Sequence, residues 1–205
     1  EDKNYLTAAA TDSHRMSISK IRLDQKIDFE PIILPKKTIF QLISLLEQSE
    51  GVIKISNNKS KIKFEMDCGV LISKVIDGRF PDYSKVIPKD NDKVLEIKLD
   101  DFINSIERVT TVSSDRKEGL KMTISKNVVQ LSVNNPSSGE GVENINAKFN
   151  YNDLVISFNS RYLTDIASQI ENELISINLK DAGSPVIIND FSDKNSFHVV
   201  MPMKI

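Results

Sequence analysis

The 205-residue sequence is poor in several residue types, and each scarcity excludes a class of protein. A single cysteine, Cys68, rules out an internal disulfide framework and suits a reducing cytoplasm. There is no tryptophan, and seven glycines and seven prolines leave few interruptions, so most of the chain should form regular elements joined by short turns. Both common glycine-rich phosphate loops are missing. No apolar run is long enough to cross a membrane as a helix.

Charge is nearly balanced, with 27 basic and 29 acidic residues and a net charge of −2. The protein as a whole is therefore not a general attractor for nucleic acid. A local basic face stays possible, because net charge averages over surfaces that do different jobs.

Alternation of apolar and charged residues is the dominant pattern. In Lys61–Met66 it places Ile62, Phe64 and Met66 on one face, as in a half-buried strand. Cys68 follows in a strand-like stretch, where we expect a small buried side chain. Other predicted strands are Val52–Ile55, Gly69–Val75, Val94–Leu99, Leu120–Ile124, Val128–Val133, Leu154–Phe158, Leu174–Leu179 and Val186–Ile188.

Three segments have helical spacing instead: Lys36–Gln48, Asp101–Val112 and Ser160–Ile170. Asp100 and Asn159 are the predicted N-caps of the second and third helices. The predicted apolar faces contain Ile39, Leu42, Ile43 and Leu46; Phe102, Ile103, Ile106 and Val109; and Leu163, Ile166, Ala167 and Ile170.

Each predicted helix is followed by a pair of strands, so the chain contains three copies of one unit. Such a unit exposes an apolar sheet face and needs a second copy to bury it. The sequence therefore predicts an α+β fold with internal pseudo-symmetry, in which the last two copies form one complete domain.

A catalytic interpretation rests on Asp12 and His14, which could form half of a metal site in a metal-dependent hydrolase. The other histidine is His198, and no further ligands at metal-binding spacing complete a set. A polar turn at the end of a strand explains the same residues more simply.

Lys36 and Lys37 occupy the first turn of the first predicted helix. The helix dipole makes that end unfavourable for cations, and an external phosphate would compensate. Two solvated lysines are the simpler alternative. Arg108, Lys117 and Arg161 lie on or near the other two helices and add a weaker indication of the same kind.

The C-terminal tail, Val199–Ile205, is unusually apolar. Pro202 removes a backbone donor and should end a strand there, so that the last residues leave the sheet. Methionine adapts well to varied apolar ligands. From these residues alone, core packing and a binding groove are equally good interpretations.

Four segments together resemble one family, the bacterial DNA polymerase III beta subunit, or DNA sliding clamp. They occur in the family's order and spacing over essentially the whole chain. They are Ala9–Met16, Asp77–Pro88, Phe158–Leu163 and Val199–Ile205.

The resemblance implies clamp domains with antiparallel sheets outside and helices lining the inner face. Residues 1–83 would be an incomplete middle domain and residues 84–205 the C-terminal domain. The full-length protein would be a homodimeric ring that encircles duplex DNA without sequence preference and acts as a non-catalytic processivity factor, with no cofactor or metal. Residues facing the DNA would be Lys36, Lys37, Arg108 and Arg161.

The family also implies a pocket for short peptides of polymerases, including the DNA polymerase III alpha subunit, of the clamp loader and of repair proteins. Ser13 stands where the family usually has glycine, so the turn should adopt positive φ less readily. Lys85 and Lys204 replace arginines. The implied pocket residues are Thr11, His14, Arg15, Met16, Pro81, Lys85, Val86, Asn159, Tyr162, Val199, Val200, Met201, Pro202, Met203 and Lys204.

By the same resemblance, the first domain and the start of the middle domain lie outside this sequence. The chain as given should therefore not close a ring.

Overall fold

The computed structural model describes residues 4–24, 30–58, 60–113, 119–191, 193 and 195–204. These residues form an α+β structure dominated by antiparallel strands. The helices are α1 (Lys36–Leu46), α2 (Leu99–Val109) and α3 (Ser160–Ala167). The strands are β1 (Tyr5–Thr11), β2 (Arg15–Arg22), β3 (Lys54–Asn57), β4 (Lys61–Met66), β5 (Gly69–Lys74), β6 (Lys93–Lys98), β7 (Gly119–Ser125), β8 (Val128–Asn135), β9 (Gly139–Lys148), β10 (Leu154–Asn159), β11 (Leu174–Leu179), β12 (Val186–Asp190) and β13 (Ser196–Val200).

The chain divides into two compact units. The first combines the described residues up to 24 with those from 84 onward, and the second contains residues 30–83. The hairpin β1–β2 thus belongs with the later part of the chain, because β2 pairs with β13. The predicted domain boundary keeps that hairpin with residues up to 83, and the domain assignment stays a prediction.

The first unit contains a ten-stranded antiparallel sheet in the order β1-β2-β13-β12-β11-β6-β9-β8-β7-β10. Strands are exchanged between its two internal repeats. β10, which precedes α3, pairs with β7 of the earlier repeat, whereas β6, which precedes α2, pairs with β11 of the later one. A single core joins both repeats, and it includes Phe102 and Ile106 of α2, Leu163 of α3 and Val200 of β13.

Each helix is followed by three antiparallel strands rather than the predicted two. The predicted repeat is therefore confirmed and longer than expected. In the second unit, β3, β4 and β5 form a separate sheet. Leu42, Leu45 and Leu46 of α1 pack against Ile62, Phe64 and Met66 of β4.

Several sequence predictions need correction. Asp100 does not cap α2, because the helix begins at Leu99, two residues before the predicted start at Asp101, and its N-cap is Lys98. Cys68 is exposed in the turn between β4 and β5, not buried in a strand. The predicted face of α1 is wrong at Ile39 and Ile43, which are 36% and 48% exposed while Leu45 packs inward.

Asn159 caps α3 as predicted, since its side chain accepts a hydrogen bond from the Arg161 backbone N–H at 3.0 Å. Of the described helices, none is long and apolar enough to cross a membrane.

Candidate functional site

The tip of the β1–β2 hairpin is built by its own polar side chains. One carboxylate oxygen of Asp12 accepts the backbone N–H groups of His14 and Arg15 at 3.1 and 3.0 Å. The Thr11 hydroxyl donates to the Arg15 carbonyl at 2.8 Å. These bonds hold Ser13 at a φ of 75°, so the turn adopts positive φ although serine stands where the family usually has glycine.

The Arg15 side chain connects this hairpin to α3. Its Nε donates to Asp12 at 3.0 Å and its Nη1 donates to Asp165 of α3 at 2.8 Å. Its guanidinium carbon lies 4.4 Å from the centroid of the Tyr162 ring, within the range of a cation–π contact. The guanidinium therefore has a carboxylate on two edges and an aromatic ring against one face.

The pKa shifts of Asp12 and Arg15 follow from this arrangement. Burial alone would raise the pKa of the Asp12 carboxyl, but hydrogen bonds from His14 and Arg15 outweigh it and hold that pKa below its ordinary value. Burial would lower the pKa of Arg15, and the bonds to Asp165 and Asp12 reverse that shift. Both groups are consequently charged at neutral pH.

His14 and the C-terminal tail meet beside the same tyrosine. The His14 and Tyr162 rings are stacked, with centroids 6.4 Å apart and an interplanar angle of 25°. The backbone N–H of Met201 donates to the His14 carbonyl at 2.9 Å. The structure thus brings His14, Arg15, Tyr162 and Met201 together, as the resemblance implied.

The tail leaves the sheet where Pro202 was expected to end it, since β13 stops at Val200. It is attached again at Met203, whose backbone N–H donates to the Ser157 carbonyl of β10 at 2.7 Å. Ser157 lies three residues before α3, and the other repeats use the same position for pairing. The equivalent contacts are Ile76 with Ile33 before α1 and Lys148 with Glu96 before α2.

Exposure divides the predicted pocket residues into two groups. Met201 and Met203 are 41% and 38% exposed, so both thioether side chains can reach a ligand. Met16, Val199 and Val200 are buried, and they support the site from behind instead of forming its surface. The remaining residues of the hairpin, α3 and tail are exposed or half-buried: Thr11, His14, Arg15, Asn159, Tyr162, Pro202 and Lys204.

The other predicted pocket residues lie in the segment that follows the second unit's sheet. Pro81 is an exposed residue of that unit. Lys85 ends a short 3-10 helix, Tyr83–Lys85, and Val86 follows it with 49% exposure. Their participation in the site stays a prediction.

Among the residues predicted to face DNA, Lys36 and Lys37 begin α1 directly after Pro35, as expected. Both are exposed, and the first turn of α1 holds no acidic residue. Arg161 is exposed in the first turn of α3. Arg108 differs from the other three, because its Nε donates to Glu143 of β9 at 2.9 Å and its charge is partly neutralised.

The metal-site alternative has no support in this geometry. Both Asp12 carboxylate oxygens are occupied by the hairpin backbone and by Arg15. In the described part of the chain, no group of three or more His, Cys, Asp or Glu residues could hold an ion. The simpler prediction, a polar turn at a strand end, is confirmed.

Asp165 is the residue at this site that the sequence did not indicate. It lies three positions after Tyr162, so both share one face of α3. That spacing is visible in the sequence, but its partner Arg15 is 150 residues away and only the fold brings the two together.

Family models match nearly all of the chain. The model for the central domain of the DNA polymerase III beta subunit matches residues 1–82, and the model for its C-terminal domain matches residues 84–204. The beta sliding clamp of Caulobacter vibrioides (strain NA1000 / CB15N) is 32% identical over 201 residues, covering 98% of this chain and 54% of that protein. The beta sliding clamp of Escherichia coli (strain K12) is 28% identical over 200 residues, covering 98% and 55%.

Solved structures are similar over the same span. A DnaN sliding clamp from Bartonella birtlesii bound to griselimycin superimposes with a TM-score of 0.95 at 37% identity, covering 100% of this chain and 56% of that one. A DNA polymerase sliding clamp from Caulobacter crescentus gives a TM-score of 0.92 at 32% identity, covering 98% and 54%. The chain therefore spans about half the length of these relatives, and it belongs to the DNA polymerase III beta subunit family of sliding clamps.

Proposed function

We propose that this chain is the partner-binding portion of a DNA sliding clamp, a replication processivity factor that tethers other proteins to duplex DNA. The observation that carries this proposal is the cluster at the hairpin tip. There the stacked His14 and Tyr162 rings lie beside a tail whose Met201 is bonded to the hairpin backbone.

The chemistry of the cluster suits a short peptide. Exposed Met201 and Met203 offer adaptable apolar contacts, and His14 and Asn159 offer polar groups for a peptide backbone or an amide side chain. The partners would be polymerases, including the DNA polymerase III alpha subunit, the clamp loader and repair proteins. The griselimycin-bound relative supplies a second ligand to test on this chain.

Homodimerisation of the full-length protein is supported by a comparison of equivalent strands. In the later repeat, β13 pairs with β12 on one side and with β2 on the other. Its counterpart β9 pairs with β8 along residues 139–146, and within the described residues no second strand pairs with that stretch. A strand from another subunit would complete this edge as β2 completes β13.

The DNA-binding part of the proposal rests on exposed cations at helix N-termini. Lys36, Lys37 and Arg161 can meet backbone phosphates, which carry no sequence information. Arg108 contributes less, because Glu143 shares its charge. Retention on circular duplex DNA by the full-length protein should therefore fall steeply with salt.

We further propose that the protein works without catalysis, cofactor or metal, in the cytoplasm. Processivity requires only that a partner be held beside the template. The residues that could have formed a catalytic pair are used for structure, as the bonds of Asp12 illustrate.

The family resemblance implies short partner peptides that contain glutamine and leucine or phenylalanine. The direct test is therefore titration of this chain with a labelled Gln-Leu-Ser-Leu-Phe peptide, followed by fluorescence anisotropy. We expect a dissociation constant on the order of micromolar, as for a small groove contact. The Met201→Ala/Met203→Ala variant should weaken binding about tenfold or more, since both side chains would anchor the ligand. Ile21→Ala is the matched control, because Ile21 is an exposed aliphatic residue at the far end of β2.

Unchanged binding by the double methionine variant would refute the proposed site.

A further inference from the structure

The Arg15 guanidinium is held by two carboxylates. Its Nε bonds Asp12 within the hairpin, and its Nη1 bonds Asp165 across to α3. A guanidinium offers five N–H donors in a fixed plane, so two carboxylates on separate edges fix both its position and its orientation. The plane is then presented to the Tyr162 ring at 4.4 Å.

The two carboxylates have different consequences. Asp12 belongs to the same turn as Arg15, and its bonds shape the hairpin locally. Asp165 lies on another element, so the Arg15–Asp165 bond ties the Arg15 side chain at the hairpin tip to α3. Within the described residues, this bond is the ion pair that joins the hairpin to α3.

The contacts of the Tyr162 and His14 rings are linked to the Arg15–Asp165 bond. Tyr162 and Asp165 project from one face of α3, separated by a single helical turn. Arg15 reaches both, and the adjacent His14 stacks on the tyrosine while its carbonyl accepts the Met201 N–H. Loss of the Asp165 contact would free one edge of the guanidinium, and the Arg15 side chain could then shift against the Tyr162 ring beside His14.

We propose that Asp165 is a positioning residue for the peptide site, acting through Arg15 to hold His14, Tyr162 and the tail in a binding geometry. This inference rests on the proposed peptide-binding function. It also assigns Arg15 a role different from that of a direct peptide ligand, because two of its donor edges are already engaged within the protein.

The test is the affinity of the labelled Gln-Leu-Ser-Leu-Phe peptide for a set of variants of this chain, with thermal unfolding measured on each. Asp165→Asn should weaken binding about three- to fivefold, the size expected for a partly exposed charged contact. Asp165→Glu keeps the charge on a longer arm and should recover most of the loss. Asp153→Asn, an exposed aspartate before β10, is the matched control and should bind as the unsubstituted chain does.

A double-mutant cycle separates positioning through Arg15 from a general loss of structure. Arg15→Lys cannot bond both carboxylates and lie flat on the ring. In that background, Asp165→Asn should cause little further loss of affinity. Additive losses in the cycle, or affinity that changes only in proportion to the unfolding temperature, would overturn the inference.

Failure of the inference about Asp165 can be distinguished from failure of the proposed function. If the unsubstituted chain binds the peptide and Asp165→Asn binds it equally well, Asp165 has no positioning role and the proposed function stands. If the unsubstituted chain does not bind the peptide at all, the proposed function itself fails, and this inference fails with it.

Discussion

The guanidinium carbon of Arg15 lies 4.4 Å from the centre of the Tyr162 ring, and His14, the residue before Arg15, stacks on the same ring. One aromatic side chain of α3 therefore receives two successive residues of a hairpin that lies at the other end of the sequence. The aromatic face, rather than the phenolic hydroxyl, is the feature on which both contacts depend.

Tyr162→Phe should consequently be tolerated, whereas Tyr162→Leu should not. Phenylalanine keeps the ring face for both contacts, and leucine loses a cation–π contact worth about 0.5–1 kcal/mol at a partly exposed position. The measurement is the free energy of unfolding of each variant by chemical denaturation. Equal destabilisation by the two substitutions would show that the hydroxyl, not the ring face, makes the contribution.

Ser13→Gly should stabilise the hairpin. Ser13 has a φ of 75°, a region that glycine enters without strain, and we expect a gain of about 0.5–1 kcal/mol. Thermal unfolding checks the gain. Ser56→Gly, in the exposed strand β3, should instead destabilise, because glycine in a strand interior costs backbone entropy. A loss of stability in Ser13→Gly would mean that contacts of the serine side chain stabilise the hairpin more than relief of the backbone strain does.

Gly141→Ala should destabilise the first unit by about 1–3 kcal/mol, the usual range for overpacking. A Cβ at this position of β9 would lie 3.0 Å from the Cα of Val109 and closer still to its carbonyl oxygen, at the end of α2. Gly183→Ala is the control, since the nearest atom to its Cβ is an Asp181 carboxylate oxygen at 3.8 Å. Comparable unfolding temperatures for the two variants would argue against the close approach of β9 to α2.

His198 should make stability depend on pH. Burial lowers the pKa of His198, the charge of Arg15 lowers it further, and its Nδ1 lies 2.8 Å from the Ser17 hydroxyl. The folded state thus binds a proton less readily than the unfolded chain, whose histidine titrates near 6.5. Stability should be fully present above that pH and should fall as the pH drops below it.

The check is the free energy of unfolding between about pH 5 and 8, the range in which histidine titrates. His198→Gln should flatten this dependence, and His14→Gln, which leaves His198 in place, should retain it. A His198→Gln variant with the full slope would assign the effect to other groups.

Much of the fold was predictable because burial imposes periodicity. The alternation in Lys61–Met66 marks β4 correctly, and the helical spacing after Asn159 marks α3. Prediction from the sequence was wrong for residues whose burial is decided by elements far away in the chain. Ile39 and Ile43 fit a helical stripe as well as Leu45 does, and only the position of the sheet determines which of them is buried.

The same limit applies to the site. Alternation was too weak to reveal β9, whose inner positions include a glycine that packs against α2. The resemblance supplied His14, Tyr162 and Met201 as a group, and the structure brings them together. Neither spacing nor resemblance indicated Asp165, because an ion pair spanning 150 residues leaves no local pattern.

The most direct measurement of the central claim is methionine methyl NMR during titration with the Gln-Leu-Ser-Leu-Phe peptide. The chain has five methionines, and they sample different surroundings. Met201 and Met203 lie exposed in the tail, whereas Met66 and Met122 are buried in the cores of the two units. We predict that the methyl signals of Met201 and Met203 shift with peptide and saturate together, while those of Met66 and Met122 stay in place. Saturable binding that leaves both tail methyl signals unmoved would contradict the assignment of this surface as the partner-binding site.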